Sequence, residues 1–210
     1  MSNLKKKVAD GMKRLYERGL VSSLGGNVSA RSEDNSRIFI TPSGVPKWEI
    51  FEEDVVVVDP EGRIIEGTQK PSSELPSHLL IYRKRDEVHA IVHAHPPYAI
   101  ALANQGLLVP PLHVSPEEVL YLRRLSVVDF APPGIKTAEM ISEAITSSDV
   151  IVMKNHGAFA MGGSIEEAIA KMEILEEASK IIYLQLAIER NPSKISNDNV
   201  QEILRTYKKS

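Results

Sequence analysis

Strand-like and helical periodicities occupy different parts of this chain, and their order restricts the folds open to it. "RIFITP" (37–42) and "VVVVDPEGRIIEG" (55–67) have the β-branched, turn-bounded character of strands, and the second folds back on itself over a Pro-Glu-Gly turn. From residue 72 onward helices and strands alternate. A helix is expected within 72–85, a strand over 88–95, a helix near 97–104 and another opening at "SPEE" (115–118). A helix over 137–148, a strand and turn over 149–157 and a long helix over 164–189 follow. Ser115 with Glu118, and Ser164 with Glu167, have capping-box spacing. The first helix, 4–18, sets Leu4, Val8, Met12 and Leu15 on one face, with Ser2 and Asn3 as caps and Gly19 as its stop. Hairpins first and alternation afterwards predict an α/β fold, a mixed sheet flanked by helices on both faces, rather than a purely parallel doubly wound one.

The 210 residues suit one domain spanning 1–210, in which 190–210 form a connector, a short final helix and a tail. Lys plus Arg less Asp plus Glu is 25 − 28 = −3, so there is no field to draw in nucleic acid or an anionic membrane, and any anion must be held by local groups. No apolar stretch reaches the roughly 18 residues of a membrane span. The absence of cysteine removes disulfides and thiolate metal sites, and the amphipathic start has no signal-peptide apolar core. A cytoplasmic enzyme or binding protein is expected.

"VHAIVHAHPPYA" (88–99) is the chemical centre of the chain. Alternation along a strand points His93 and His95 to one side with Ala94 toward the core, and Pro96-Pro97 end the strand at once. Two imidazoles at a sheet terminus can grip one cation, whereas His89, about 13 Å back along the strand, is too far to join them. A zinc-type ion needs three or four ligands. His156, where "VIVMKNHG" leaves its strand, is the best third ligand, and Glu74 in "PSSELPSH" is a carboxylate able to ligate the ion or act as general base. Taken alone, Glu74 also fits an ordinary helix start, and His78, one turn on, either lines the same pocket or packs on the core, with core packing the preferred reading.

Three short stretches, "GGNVS" (25–29), "TPSG" (41–44) and "PSSE" (71–74), combine hydroxyl or amide side chains with turns that bare backbone N–H groups, the chemistry of anion nests and helix N-termini. Each alone is compatible with a plain turn. Together, beside a histidine cluster, they indicate a phosphorylated small molecule next to a divalent metal. None has the form of a Walker loop.

The set G-G-N-V-S, T-P-S-G, S-S-E, H-A-H and N-H-G, in this order and spacing, resembles the class II sugar-phosphate aldolase and epimerase family over nearly the whole chain. The likeness is closest to its L-fuculose-1-phosphate aldolase branch; ribulose-5-phosphate 4-epimerases and methylthioribulose-1-phosphate dehydratases are other branches. It implies a three-layer α/β/α domain around a largely antiparallel mixed sheet, assembled as a homotetramer with sites near subunit interfaces. It also implies one Zn2+ per subunit on His93, His95 and His156, with Glu74 as fourth ligand and then as acid/base. Asn27, Ser43, Gly44, Ser72 and Ser73 match phosphate-binding positions. The implied activity is cleavage of a ketose 1-phosphate to dihydroxyacetone phosphate and an aldehyde, through an enediolate that a metal Lewis acid stabilises. Epimerisation or dehydration of another ketose phosphate is the alternative, and a protein that merely binds metal or phosphate would need no Glu74.

One departure stands out. The aldolase pattern has a tyrosine after the histidine of "PPLHVS", where this chain has Val114 after His113, so the proton donor on the aldehyde side must be sought elsewhere. Glu117 and Glu118, near an acidic position of the dehydratases, and Tyr207 in the C-terminal tail are the candidates.

Overall fold

The computed structural model describes residues 2–188 and 193–207, apart from the side chains of Ser2 and Asn3. The caps expected at Ser2 and Asn3, the helix end expected at Glu189 and the first residues of the connector at 190–192 therefore lie outside the described residues. Eight strands form one open sheet: β1 (Asn27–Arg31), β2 (Ile38–Ile40), β3 (Val56–Val58), β4 (Ile64–Glu66), β5 (Ala90–Ala94), β6 (Leu125–Val128), β7 (Val150–Met153) and β8 (Gly157–Gly162). Their order is β4-β3-β2-β1-β5-β8-β7-β6, and every pairing is antiparallel except β6 with β7. The mixed, largely antiparallel sheet expected from the sequence is the one found.

Helices α1 (Ser2–Glu17), α3 (Pro97–Asn104) and α6 (Ile165–Ile188) cover one face, and α2 (Leu75–Lys84) and α5 (Ile135–Ile141) the other. The short α4 (Pro116–Tyr121) packs with α7 (Asn197–Tyr207) and α6. Strand alternation divides the core accordingly. Val150, Val152, Ala158 and Ala160 join Met12, Leu102, Met172 and Leu175 on the first side, while Ile151, Met153, Phe159 and Met161 join Leu75, Leu79, Ile81 and Ile141 on the second. Small residues at Ala90, Ala94, Ala158 and Ala160 let α6 lie close along the middle of the sheet. Among the described residues no helix is long and apolar enough to cross a membrane.

The sequence reading and the fold differ at four places. β1 occupies part of the expected 25–29 nest, so Asn27 is presented by the first residue of a strand. β6 and β8 form where no strand was expected. The helix expected over 137–148 stops at Ile141 and resumes only as a 3-10 turn at Ala144–Thr146. There the carbonyls of Ile145 and Ser148 turn inward to accept hydrogen bonds from buried Arg85 Nη1 at 2.9 and 2.8 Å, an alternative to continued helical pairing.

Candidate metal and phosphate site

The three nests lie far apart in sequence, and the backbone stitches them together. Thr41 N donates to Val28 O (3.0 Å), Ser72 N to Thr41 O (3.2 Å) and Ser43 N to Lys70 O (2.9 Å), while Pro42 and Pro71 form an isolated bridge. Ser43 Oγ closes the seam on Pro71 O at 3.1 Å. Gly44 has φ +77°, a left-handed conformation that glycine adopts at no steric cost, so the turn at 41–44 keeps its backbone bare. The result is a cavity of about 160 Å³, lined by Asn27, Ser43, Gly44, Ser72, Ser73 and Glu74 together with the three histidines.

His93 is the last residue but one of the buried strand β5, His95 follows just beyond the strand, and His156 sits in the tight turn between β7 and β8. One ligand nitrogen from each lies within 4.8 Å of the others. Two are oriented through their second nitrogen: His93 Nδ1 donates to Ala158 O at 3.1 Å, and His156 Nδ1 to Ala131 O at 3.0 Å. That leaves Nε2 of each as the free lone pair, the arrangement by which backbone carbonyls aim metal-binding imidazoles. Phe159 stacks on His93 with ring centroids 4.3 Å apart. Burial first, then mutual repulsion with the other imidazoles, holds His93 and His95 below the ordinary histidine value, and burial does the same to His156. At neutral pH all three are uncharged bases, the form a cation requires.

The close approach depends on Gly157. A Cβ there would stand 2.5 Å from Ala94 O, 2.8 Å from His95 Cδ2 and 2.9 Å from His93 Cε1. No side chain fits between the two strands at that point.

Glu74 stands at the N-terminus of α2, 3% exposed, with Oε1 3.8 Å from His156 Nε2. Oε1 accepts from Gly134 N and Oε2 from Ser77 Oγ, both at 3.1 Å. Burial raises its pKa, and these hydrogen bonds only partly offset the rise. A carboxyl so placed is suited to exchange a proton nearer neutrality than an exposed one.

Behind the cavity runs a buried polar chain that the sequence did not disclose. His78, fully buried, has Nε2 2.6 Å from Asn27 Oδ1 and Nδ1 2.6 Å from Ser29 Oγ, and Ser29 Oγ is 2.7 Å from Tyr82 Oη. Burial takes His78 down to about 3, so the ring is neutral, with one donor and one acceptor nitrogen. Since Asn27 Oδ1 can only accept, Nε2 donates to it and Nδ1 accepts from Ser29, which accepts from Tyr82. With Oδ1 committed to His78, the amide N–H groups are the part of Asn27 that can serve the cavity it lines. The expectation that His78 packs in the core is met, with a hydrogen-bonding task added.

The structure therefore brings together Asn27, Ser43, Gly44, Ser72, Ser73, Glu74, His93, His95 and His156. It does not bring Glu117, Glu118 or Tyr207 to the cavity of one chain. Glu117 is exposed on α4. Glu118 is buried beneath α4, where its carboxylate accepts from Val114 N (3.3 Å) and its own N–H donates to Ser115 Oγ (3.1 Å), the capping arrangement. Tyr207 is 57% exposed at the end of α7. Lys47, which the sequence gave no reason to single out, also lines the cavity. His89 lies at the other end of the sheet, in a larger cavity of about 450 Å³ where Lys7 is already paired with Glu166 at 2.9 Å.

Residues 6–183 match the family described as Class II Aldolase and Adducin N-terminal domain. An L-fuculose phosphate aldolase of Methanococcus maripaludis is 40% identical over 171 residues, covering 81% of this chain and 91% of that protein. A 5-deoxy-D-ribulose 1-phosphate aldolase of Bacillus thuringiensis serovar kurstaki is 31% identical over 206 residues, covering 93% of this chain and 91% of that protein. Among solved structures, an L-fuculose 1-phosphate aldolase superposes with a TM-score of 0.88 at 30% identity, over 99% of this chain and 97% of the other.

Proposed function

The chain belongs to the Class II Aldolase and Adducin N-terminal domain family, and from that premise we propose that it is a metal-dependent aldolase acting on a ketose 1-phosphate of the L-fuculose 1-phosphate kind, releasing dihydroxyacetone phosphate and an aldehyde. The observation that carries this reading is the convergence, in one cavity, of three imidazoles with a buried carboxylate 3.8 Å from one of them and a wall of small polar groups. The donor set fits a zinc-type ion: three uncharged imidazoles, two of them aimed by backbone carbonyls, and one carboxylate. His93, His95 and His156 would hold Zn2+, with Glu74 as fourth ligand until substrate arrives, and the cation would supply Lewis-acid polarisation of the ketose carbonyl.

The chain's own residues account for the rest. Asn27, Ser43, Gly44, Ser72 and Ser73 hold the phosphate and use its binding energy for orientation. In the cleavage direction the C3–C4 bond breaks and its electron pair stays with the phosphate-bearing fragment. Glu74 delivers the proton that this carbon takes up. The C4 hydroxyl gives up its proton to another group as the aldehyde forms.

That group we place on a neighbouring subunit of a homotetramer, with the exposed Tyr207 and Glu117 as candidates, whereas Glu118 would first have to leave its buried contact with Val114 N–H. Two features support an interface here. About 160 Å³ is less than the roughly 300 Å³ at which most ligand pockets begin, so one chain encloses only part of a sugar phosphate. The rim also carries exposed Leu24, and exposed Phe130 stands beside His156. In this reading residues 1–210 act as a single domain in the cytoplasm.

The test is a panel of ketose 1- and 5-phosphates with zinc-loaded protein, scored for dihydroxyacetone phosphate release, epimerisation and dehydration. Release from a 1-phosphate, lost on chelation and restored by zinc, is expected. Epimerisation or dehydration without cleavage would overturn the aldolase reading, and a protein that takes up no divalent metal would overturn the metal site. The Bacillus relative favours a second substrate within the same chemistry, 5-deoxy-D-ribulose 1-phosphate, whose cleavage gives acetaldehyde where L-fuculose 1-phosphate gives lactaldehyde. The identity of the aldehyde decides between them.

A further inference from the structure

We propose that Lys47 is the countercharge built into the cavity for the substrate's phosphate group, an inference that rests on the phosphorylated-substrate part of the function proposed above. Lys47 follows the 41–44 turn and is only 1% exposed, one of the largest fully buried side chains. Its backbone N–H is tied to Ser23 O at 2.9 Å, and its Nζ donates to Pro42 O at 3.1 Å. An ammonium carries three N–H donors, and the carbonyl accounts for one.

Two of the other buried cations are paired with carboxylates, and the third, Arg31, which has no ion pair among the described residues and an unpartnered Nε, spends its terminal nitrogens on backbone carbonyls away from the phosphate nest. Arg85 bonds Asp149 at 2.7 Å and also Glu87; Lys171 bonds Glu167 at 2.7 Å and Met161 O at 2.8 Å; the two terminal nitrogens of Arg31 reach the carbonyls of Tyr82, Arg85 and Asp86. Lys47 takes part in none of the ion pairs found among the described residues. A buried ammonium without an anion is costly and is retained where something offsets it. What surrounds it is the phosphate nest: Lys47 lines the same cavity as Asn27, Ser43, Gly44, Ser72 and Ser73, all neutral. Glu74, the other charged lining group, is held by Gly134 and Ser77. Burial lowers the Lys47 pKa with no acidic neighbour to raise it, so the neutral lining leaves the charge uncompensated and a phosphate monoester would offset it.

The experiment is a titration of the purified full chain with inorganic phosphate, followed by thermal shift and calorimetry, for the wild type, Lys47→Met and Lys47→Gln. Glutamine can keep a donor on Pro42 O without the charge, so it separates the tether from the countercharge and decides the matter if the methionine variant folds poorly. Both variants are expected to lose at least about tenfold in phosphate affinity with zinc stoichiometry unchanged, and to raise KM for the ketose 1-phosphate more than they lower kcat. Lys47→Met is expected to melt higher than the wild type without ligand, because it removes an uncompensated buried charge. Phosphate affinity unchanged in both variants, or a wild type that binds no phosphate, would overturn the proposal. Lys47-dependent phosphate binding in a protein that cleaves no ketose phosphate would leave this inference standing and defeat the proposed activity.

Discussion

Gly157→Ala probes the mutual support of fold and site most directly. Its added methyl would meet Ala94 O at 2.5 Å, whereas ordinary contact begins near 3.4 Å, so β5 and β8 must separate by about 0.9 Å at that point. Neither strand can yield freely, since β5 is paired on its other side with β1 and β8 with β7. Overpacking of this kind costs about 1–3 kcal/mol. For a chain of this length that lowers Tm by about 2–12 °C, at roughly 2–4 °C per kcal/mol. The same methyl presses on the His95 and His93 rings at 2.8 and 2.9 Å, so the ligand nitrogens leave their common centre. Zinc affinity should fall about 10–100-fold, the range for disturbing the groups that orient metal ligands. Competition with a chromophoric chelator measures the affinity, and calorimetry of the metal-free protein measures the stability. Gly163→Ala is the control, because its methyl would meet only Glu167 Oε2 at 3.4 Å. If Gly157→Ala bound zinc within twofold of the wild type and melted with the control, the close-approach reasoning would be refuted.

Other perturbations address the site and the chain behind it. Glu74→Gln should retain zinc by elemental analysis while turnover falls about 10²–10⁴-fold, and unchanged turnover would eliminate Glu74 as the acid/base. His78→Leu leaves Asn27 Oδ1 without its donor, so it should destabilise the protein to urea by about 1–3 kcal/mol and raise KM for the sugar phosphate more than it lowers kcat. Because the folded-state pKa of His78 lies near 3, below the unfolded value near 6.5, the unfolded chain binds the extra proton. Its contribution is therefore complete above pH 6.5 and is lost as pH falls toward 3, at up to about 1.4 kcal/mol per pH unit. Urea titrations between pH 7 and 4 should show a shallower acid loss for His78→Gln than for the wild type; parallel curves would show that the ring is not held neutral.

The parts of the fold legible in the sequence were those whose signal is local. The first helix, the hairpin over Pro60–Gly62 and the 88–95 strand announce themselves by apolar period and turn chemistry, and two histidines ahead of a proline pair mark a strand end that could hold a cation. β1 gave no such signal. Asn27, Ser29 and Arg31 alternate with Val28 and Ala30, a pattern belonging to a strand wet on one side, yet all five residues are buried. Asn27 and Ser29 pair with His78 and Tyr82, and the terminal nitrogens of Arg31 with the carbonyls of Tyr82, Arg85 and Asp86, about fifty residues later. β8, "GAFAMG", contains too much glycine and alanine to read as a strand. It forms because β5 and β7 flank it and because small residues are what α6 and the imidazoles allow there. Lys47 escaped for a simpler reason: lysine is almost always outside, and nothing near it in sequence reports the three turns that close over it.

Asn27 and His93 are direct partners in the β1–β5 register. In the proposed roles one grips the phosphate end of the substrate and the other the carbonyl end, so their separation is a rung of the sheet, about 4.8 Å between neighbouring strands. A rung cannot be stretched. A slip of one residue would turn Asn27 to the opposite face, toward α6, and any smaller change would break the ladder. The span from phosphate to carbonyl is thus quantised by the backbone, and divergence toward new sugars has room only at the cavity's open rim.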